Sequence, residues 1–256
     1  MPDVLPGAEP LSADGGPVGC LVIHGFTGNP SSMRPIAEAM AAAGHAVEMP
    51  RLPGHGTTVE DMNTTSWADW TAEVEAAHQR LADRCDHVVA MGLSMGGTLT
   101  AWIGSQHPDI AGLVFINAAA EPSDEMRAGL QAMLDGGEEY MDGIGSDVAD
   151  PEVTESAYAK VPLAPLVSML DGVTGLQDRF GAITSPALIM TSPQDHVVAP
   201  TASDHLAASL GGPIERVTLE RSYHVATIDF DRDLIIERIL DFVARATSGM
   251  DRPGRT

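Results

Sequence analysis

The sequence predicts one α/β domain across residues 1–256: a mostly parallel β-sheet with helices on both faces and an inserted cap, or lid, over about residues 118–182. Three observations predict it. Short apolar runs rich in β-branched residues alternate with stretches of helical spacing, the order that yields parallel strands joined by crossover helices. The first clear one, VGCLVIH, is an apolar run typical of a strand covered on both faces. Between Ala118 and Ala182 the alternation lapses amid acids, glycines and prolines, then resumes.

VGCLVIH (18–24) reads as the first strand. SSMRPIAEAMAAAG (31–44) follows as a helix: Met33, Ile36, Ala37 and Met40 recur at helical spacing, Ser31 or Ser32 can cap it, and Gly44 stops it. HAVEMP (45–50) is a strand, PRLPGHGTT a loop punctuated by glycine and proline, and Ser66 to Arg84 a long helix. DHVVAMGL (86–93) is a strand, MGGTLTAWIGSQH (95–107) a helix and IAGLVFIN (110–117) a strand. Within the cap, Met126, Leu130, Met133 and Leu134 share one helix face, and PLAPLVSML (162–170) is a short apolar segment. Such a face either moulds around a flexible apolar ligand or seals the cap onto the domain. PALIMT (186–191) is a strand, a helix lies near 200–210, IERVTLE (214–220) is a strand, and a final helix lies near 232–247. The tail TSGMDRPGRT is expected to fray.

Bulk properties exclude several classes of function. Thirty-six acids against fourteen Lys and Arg give a net charge of −22. Nucleic-acid binding needs clustered basic residues, and this field repels anionic ligands and anionic membranes, so neutral small molecules fit best. No apolar stretch reaches the roughly 18–20 residues of a membrane-spanning helix. The opening MPDVLPGAEPLSADGG has neither the basic start nor the apolar core of a secretory signal, so a cytoplasmic location is expected. Cys20 and Cys85 lie in or beside apolar segments and read as reduced structural thiols. The nine histidines show no H-x-x-x-H or comparable spacing, so neither a metal site nor a cofactor is expected. Oligomeric state is left open.

The chemistry starts at Gly92-Leu93-Ser94-Met95-Gly96, a G-x-S-x-G pattern between a predicted strand and a predicted helix. That context is the sharp turn that presents a serine nucleophile. A serine hydroxyl needs a general base, and in folds with this turn the acid and the histidine follow the serine in the chain. His24 and His55 precede Ser94, His107 ends the helix that begins beside it, and His45, His78, His87 and His205 fall at strand or helix surfaces. Of the remaining two, His224, in RSYHVATIDF, lies in a loop between a late strand and the last helix, at the sheet's carboxyl edge. His196 is the competitor. Asp195, four residues after a buried strand, would orient the imidazole, with Glu121 as its rival. The oxyanion hole would take the backbone N–H groups of Met95, after the nucleophile, and of Phe26, in the glycine-bracketed turn HGFTGNP.

LVIHGFTGNPSSMRPIAEAM, PRLPGHGTT, GLSMGG, GIGSD, QDHVV and SYHVATID together resemble bacterial monoacylglycerol lipases and the closely related small carboxylesterases of the α/β-hydrolase fold, from about Val18 to Val243. The resemblance implies a Ser94–Asp195–His224 triad, an oxyanion hole from Phe26 and Met95, and a cap over an apolar acyl tunnel. It further implies that Ile144, in GIGSD, narrows the pocket around a glycerol head, whose hydroxyls Glu155, in PEVTESAY, would bind. The very acidic EPSDEMRAGLQAMLDGGEEYMDG departs from the family pattern, in the region that bears on acyl-chain preference.

The expected activity is hydrolysis of monoacylglycerol to glycerol and fatty acid through an acyl-enzyme on Ser94, without a cofactor. The alternatives are a general short- or medium-chain carboxylesterase and a small-molecule receptor on the same fold that binds without turnover. The expected partner is a neutral ester, with at most transient contact to a lipid surface that the acidic surroundings weaken.

Overall fold

A computed structural model describes residues 2–248, so most of the tail expected to fray lies outside the described residues. In chain order the elements are β1 (Leu11–Ala13), β2 (Val18–Ile23), α1 (Arg34–Ala42), β3 (Ala46–Met49), α2 (Val59–Met62), α3 (Trp67–Ala82), β4 (His87–Leu93), α4 (Met95–Gln106) and β5 (Gly112–Ile116). There follow α5 (Asp124–Asp135), β6 (Tyr140–Asp142), β7 (Lys160–Pro162), α6 (Leu163–Leu176), β8 (Ala187–Thr191), α7 (Thr201–Ser209), β9 (Ile214–Thr218) and α8 (Arg232–Thr247).

A seven-stranded sheet runs in the order β1-β3-β2-β4-β5-β8-β9. Every pairing is parallel except β1 with β3. Alternate residues of each strand serve opposite faces. Leu21, Ile23 and Ala90 join α3 and α4 through Trp70, Val74, Leu81, Leu99 and Ile103. Cys20, Val22, Val89 and Met91 join α1 and α8 through Ile36, Met40, Ile235, Ile239 and Phe242. Both faces are thus covered, which is why the central strands β2, β4 and β5 are almost wholly apolar. Each large side chain buried this way contributes about 1.5–3 kcal/mol. Cys20 and Cys85 are buried and not joined in a disulfide, and burial, with Cys85 adding to it, pushes the Cys20 thiol up to about 12.

Two local expectations are corrected and one strand is added. Edge strand β1 is too short to show a periodicity, and its pairing with β3 is fixed from a distance by the buried Glu48, which accepts from Ser12 and pairs with Arg80 and Arg84 of the α3 region. The helix expected over 31–44 begins as a 3₁₀ turn, Pro30–Ser32, and α1 starts only at Arg34. Asn29 caps the turn by accepting the Ser31 N–H, so neither serine is the cap, and Pro35 fits α1 because it sits in its first turn, where no N–H is needed. Finally, His78 is not at a helix surface: it is 4% exposed.

The stretch between β5 and β8 is more regular than its composition suggests. Ser123 caps α5 by accepting the Met126 N–H, β6 and β7 form a separate antiparallel pair, and α6 lays Leu163, Val167 and Leu170 on the core. Along α5, Leu130 is buried and Met133 and Leu134 pack against the core, whereas Met126 is 55% exposed. Most of that helix face therefore seals the insertion onto the domain.

Candidate active site

The loops at the carboxyl edge of the sheet carry the residues singled out in the sequence. Ser94 follows β4, the middle strand, with φ 56° and ψ −121°, a left-handed conformation that a non-glycine residue adopts at a cost. The fold holds it there at both ends. Its N–H donates to the Ile116 carbonyl at 3.0 Å, and its carbonyl accepts from Gly97 and Thr98 at 2.9 and 3.2 Å. The flanking glycines answer to close approach: a Cβ on Gly92 would collide with the Gly96 carbonyl, and one on Gly96 with the Ile23 carbonyl.

Asp195, after β8, and His224, after β9, meet directly. Asp195 Oδ2 lies 2.7 Å from His224 Nδ1, and both side chains are almost fully buried. The other carboxylate oxygen, Oδ1, accepts the backbone N–H groups of Val197 and Val198, each at 2.8 Å. An ionised carboxylate only accepts, so the proton sits on Nδ1 and leaves Nε2 free to accept another. Among the described residues Ser94 Oγ has no hydrogen-bond partner. The structure therefore joins Asp195 to His224 and records no bond from His224 to Ser94, although such bonds often tighten only with substrate.

Three polar residues that the sequence reading passed over fix the two loops relative to each other. Asn117 donates from Nδ2 to the His224 carbonyl at 2.8 Å and to Ser192 Oγ at 3.0 Å, while its Oδ1 accepts the Ser192 N–H. It directly follows Ile116, the residue that anchors Ser94, so all three loops share one strand end. Asp147, from the insertion, accepts the backbone N–H groups of His224 and His196, both at 3.1 Å, and bonds the His196 ring at 2.7 Å. Asp229 accepts from Tyr223, Ala149 and Asp150. The insertion is thereby tied to the histidine loop. His196, adjacent to Asp195, points to Asp147 instead, and Glu121 bonds Thr201.

The turn after β2 closes on the serine. A Cβ on Gly25 would stand 3.8 Å from Ser94 Oγ, so the Phe26 amide follows a residue in contact with the nucleophile. Buried His24 holds this turn: Nε2 accepts the Leu52 N–H at 3.1 Å, placing the proton on Nδ1, 2.9 Å from the Gly25 carbonyl. Burial, reinforced by His55, holds the His24 imidazole well below its usual range. His55 is likewise pushed down to about 4, chiefly by burial. The Phe26 ring packs edge-on against Trp70 at 5.7 Å. Met95, at the first position of α4, is fully buried, and its N–H lies at the positive end of that helix.

Of the two residues implied for a head group, Glu155 reaches the site and Ile144 faces outward. A Cβ on Gly28 would lie 3.0 Å from Glu155 Oε1. Burial raises the Glu155 carboxyl above its ordinary range, with His224 close enough to pull it down and Asp147 adding to the rise. The segment around Glu155 is laced to the neighbouring loops: Asn29 donates to the Ser156 carbonyl at 2.6 Å, and Tyr158 donates to the Gly54 carbonyl at 2.8 Å. Ile144 is 67% exposed.

Comparison with known proteins points the same way. A model described as the alpha/beta hydrolase family matches residues 20–238. The chain is 48% identical over 245 residues to a thermostable monoacylglycerol lipase of Bacillus sp. (strain H-257), covering 94% of this chain and 96% of that one. It is 25% identical over 239 residues to a carboxylesterase of Bacillus subtilis (strain 168), covering 93% and 96%. A solved structure from work on LipS and LipT, two metagenome-derived lipolytic enzymes, superposes with a TM-score of 0.91 at 42% identity, over 95% of this chain and all of that one.

Proposed function

The chain belongs to the alpha/beta hydrolase family, and from that premise we propose that it is a serine hydrolase that cleaves monoacylglycerols to glycerol and fatty acid. The observation that carries the reaction is the Asp195–His224 hydrogen bond at 2.7 Å, held at the sheet edge from which the strained turn presents Ser94. The substrate class rests on the 48% identity to a monoacylglycerol lipase over nearly the whole chain.

In the proposed cycle, Nε2 of His224 takes the proton of Ser94 Oγ as that oxygen attacks the ester carbonyl. The Phe26 and Met95 amides stabilise the oxyanion, the largest single contribution in such reactions. Glycerol leaves with the proton from His224. A water, deprotonated by the same nitrogen, then releases the fatty acid from Ser94, and the proton returns to the serine. Asp195 keeps the imidazole in the required tautomer and stabilises the imidazolium without taking its proton. These steps draw on side chains and amides alone.

Residues 118–182 act in this reading as a cap, with Glu155 binding the glycerol hydroxyls. Met126, Met141 and Ile144 expose apolar side chains on the insertion, available to transient contact with a lipid surface. Among the described residues no helix is long and apolar enough to cross a membrane. The test is product release from a C8–C18 monoacylglycerol series beside the matching diacylglycerols and ethyl esters. Preference for monoacylglycerols supports a site shaped for a glycerol head. Equal or faster cleavage of ethyl esters makes the protein a general carboxylesterase, and no turnover of any makes it a receptor.

A further inference from the structure

Away from the sheet edge, three metal-ligating side chains converge between α3 and α4. Glu75 and His78 lie three residues apart on α3 and so share one helix face. His107, the C-cap of α4, reaches back to them. One ligand atom from each of the three lies within 4.8 Å of the others. His107 Nε2 sits 2.9 and 3.0 Å from the two Glu75 oxygens, and the His78 and His107 ring centroids are 4.0 Å apart. Nothing along the sequence announces this, because 32 residues separate Glu75 from His107.

Among the described residues, His78 is the member whose buried ring nitrogen has no hydrogen-bond partner. It is 4% exposed, its Nδ1 is buried with no hydrogen bond, and its ring lies against the two other ligand-type groups. A buried polar atom left unpaired in a folded protein asks for an explanation. A metal ion taking up a ring lone pair would supply the missing partner.

We propose that Glu75, His78 and His107 form a binding site for a divalent transition-metal ion of the zinc or cobalt class, clamping α3 to α4. Two imidazoles and one carboxylate suit such ions, whereas calcium and magnesium prefer oxygen ligands. With bonds of about 2.0–2.1 Å, tetrahedral ligand atoms stand about 3.3 Å apart, so closing the site takes side-chain adjustments within the spacing observed. The Glu75 and His107 side chains are 40% and 24% exposed, giving an ion a way in and a water the fourth position. The net charge of −22 favours the approach of cations.

This site stands at the far end of α4 from Ser94, about 18 Å away along a 12-residue helix. Its role is therefore to hold the helix, and metal should act on stability and not on the chemical step. The test takes the full chain stripped with EDTA and desalted. Zn²⁺ is titrated by calorimetry with the thermal midpoint followed in parallel, and Co²⁺ is titrated by visible absorption. One Zn²⁺ per chain at micromolar or tighter affinity, a midpoint raised by a few degrees and a Co²⁺ ligand-field spectrum are expected. His107→Gln and Glu75→Gln, at the solvent side, should each weaken binding at least tenfold and remove the midpoint rise, with metal-free ester hydrolysis unchanged. His78→Gln should do the same, but its burial makes the two outer variants decisive. No saturable one-to-one binding would overturn the proposal. So would undiminished affinity in both outer variants, because the ion would then sit elsewhere, as at His196 and Asp147.

Discussion

Asp147 Oδ2 accepts the backbone N–H of His224 at 3.1 Å, so a residue of the insertion directly holds the loop that carries the proposed base. Because the same carboxylate also bonds the His196 ring, Asp147→Ala strands several donors at once. Each unpaired group costs about 1–3 kcal/mol. A small displacement of the imidazole costs up to about 10²-fold in rate. We expect kcat to fall 10- to 100-fold with a smaller change in KM and a lowered Tm. Asp147→Asn, which keeps one acceptor oxygen, should recover much of the rate. Steady-state kinetics and thermal melts of the two variants check this.

Asp195 is a sharper case. In Asp195→Asn the geometry survives, but the amide can donate to Nδ1, which favours the tautomer in which Nε2 carries the proton and cannot act as base. Such a change costs about 10⁴-fold in kcat in serine proteases. A loss of that order with Tm within a few degrees of wild type is expected. Activity within tenfold of wild type would remove Asp195 from the role.

Glu155 separates head-group recognition from chemistry. Glu155→Ala should lower kcat/KM for monoacylglycerols by about tenfold, the worth of one or two hydrogen bonds to hydroxyls. Ethyl esters of the same acids lack those hydroxyls and should be cleaved at the wild-type rate. Parallel loss on both substrates would assign Glu155 to the reaction centre instead.

The buried histidines beneath the turn that carries Phe26 give stability a pH dependence. His55 titrates at about 4 in the fold against 6.5 unfolded. Between these values the unfolded chain binds a proton that the folded one refuses. Stability is therefore full above pH 6.5, declines as pH falls towards 4, and is pH-independent again below, as far as this group is concerned. The gap corresponds to about 3 kcal/mol. His24, also lowered, acts in the same direction. Urea midpoints between pH 8 and 4 should fall for the wild type and fall less steeply for His55→Gln, even if that variant starts lower. Parallel slopes would contradict a neutral buried His55.

The fold was legible because it is written in local pattern. Apolar runs such as VGCLVIH mark strands covered on both faces, and the glycines around Ser94 mark a turn that tolerates no Cβ at Gly92 or Gly96. The meeting of Asp195 with His224 followed from chain order and the carboxyl-edge rule. What escaped notice acts across long separations. Asp147 bonds His224 from 77 residues away and Asn117 from 107; Asn117 stands in no pattern, and GIGSD, which contains Asp147, does not by itself say what its carboxylate holds. Edge strand β1 is too short to have a period, and the serines lost the capping role because Ser31 and Ser32 lie inside a 3₁₀ turn that Asn29 caps. In the insertion the helix face was legible, but not that Met126 would be left exposed while Leu130, Met133 and Leu134 pack on the core.

The measurement that bears most directly on the central claim is glycerol release from monolauroylglycerol by wild type and Ser94→Ala, side by side, with both proteins shown to be folded by their melts. The account predicts turnover by the wild type and a loss of about 10⁴- to 10⁶-fold in the variant, the scale seen when a nucleophilic serine is removed. Hydrolysis by Ser94→Ala at a rate near wild type would contradict it.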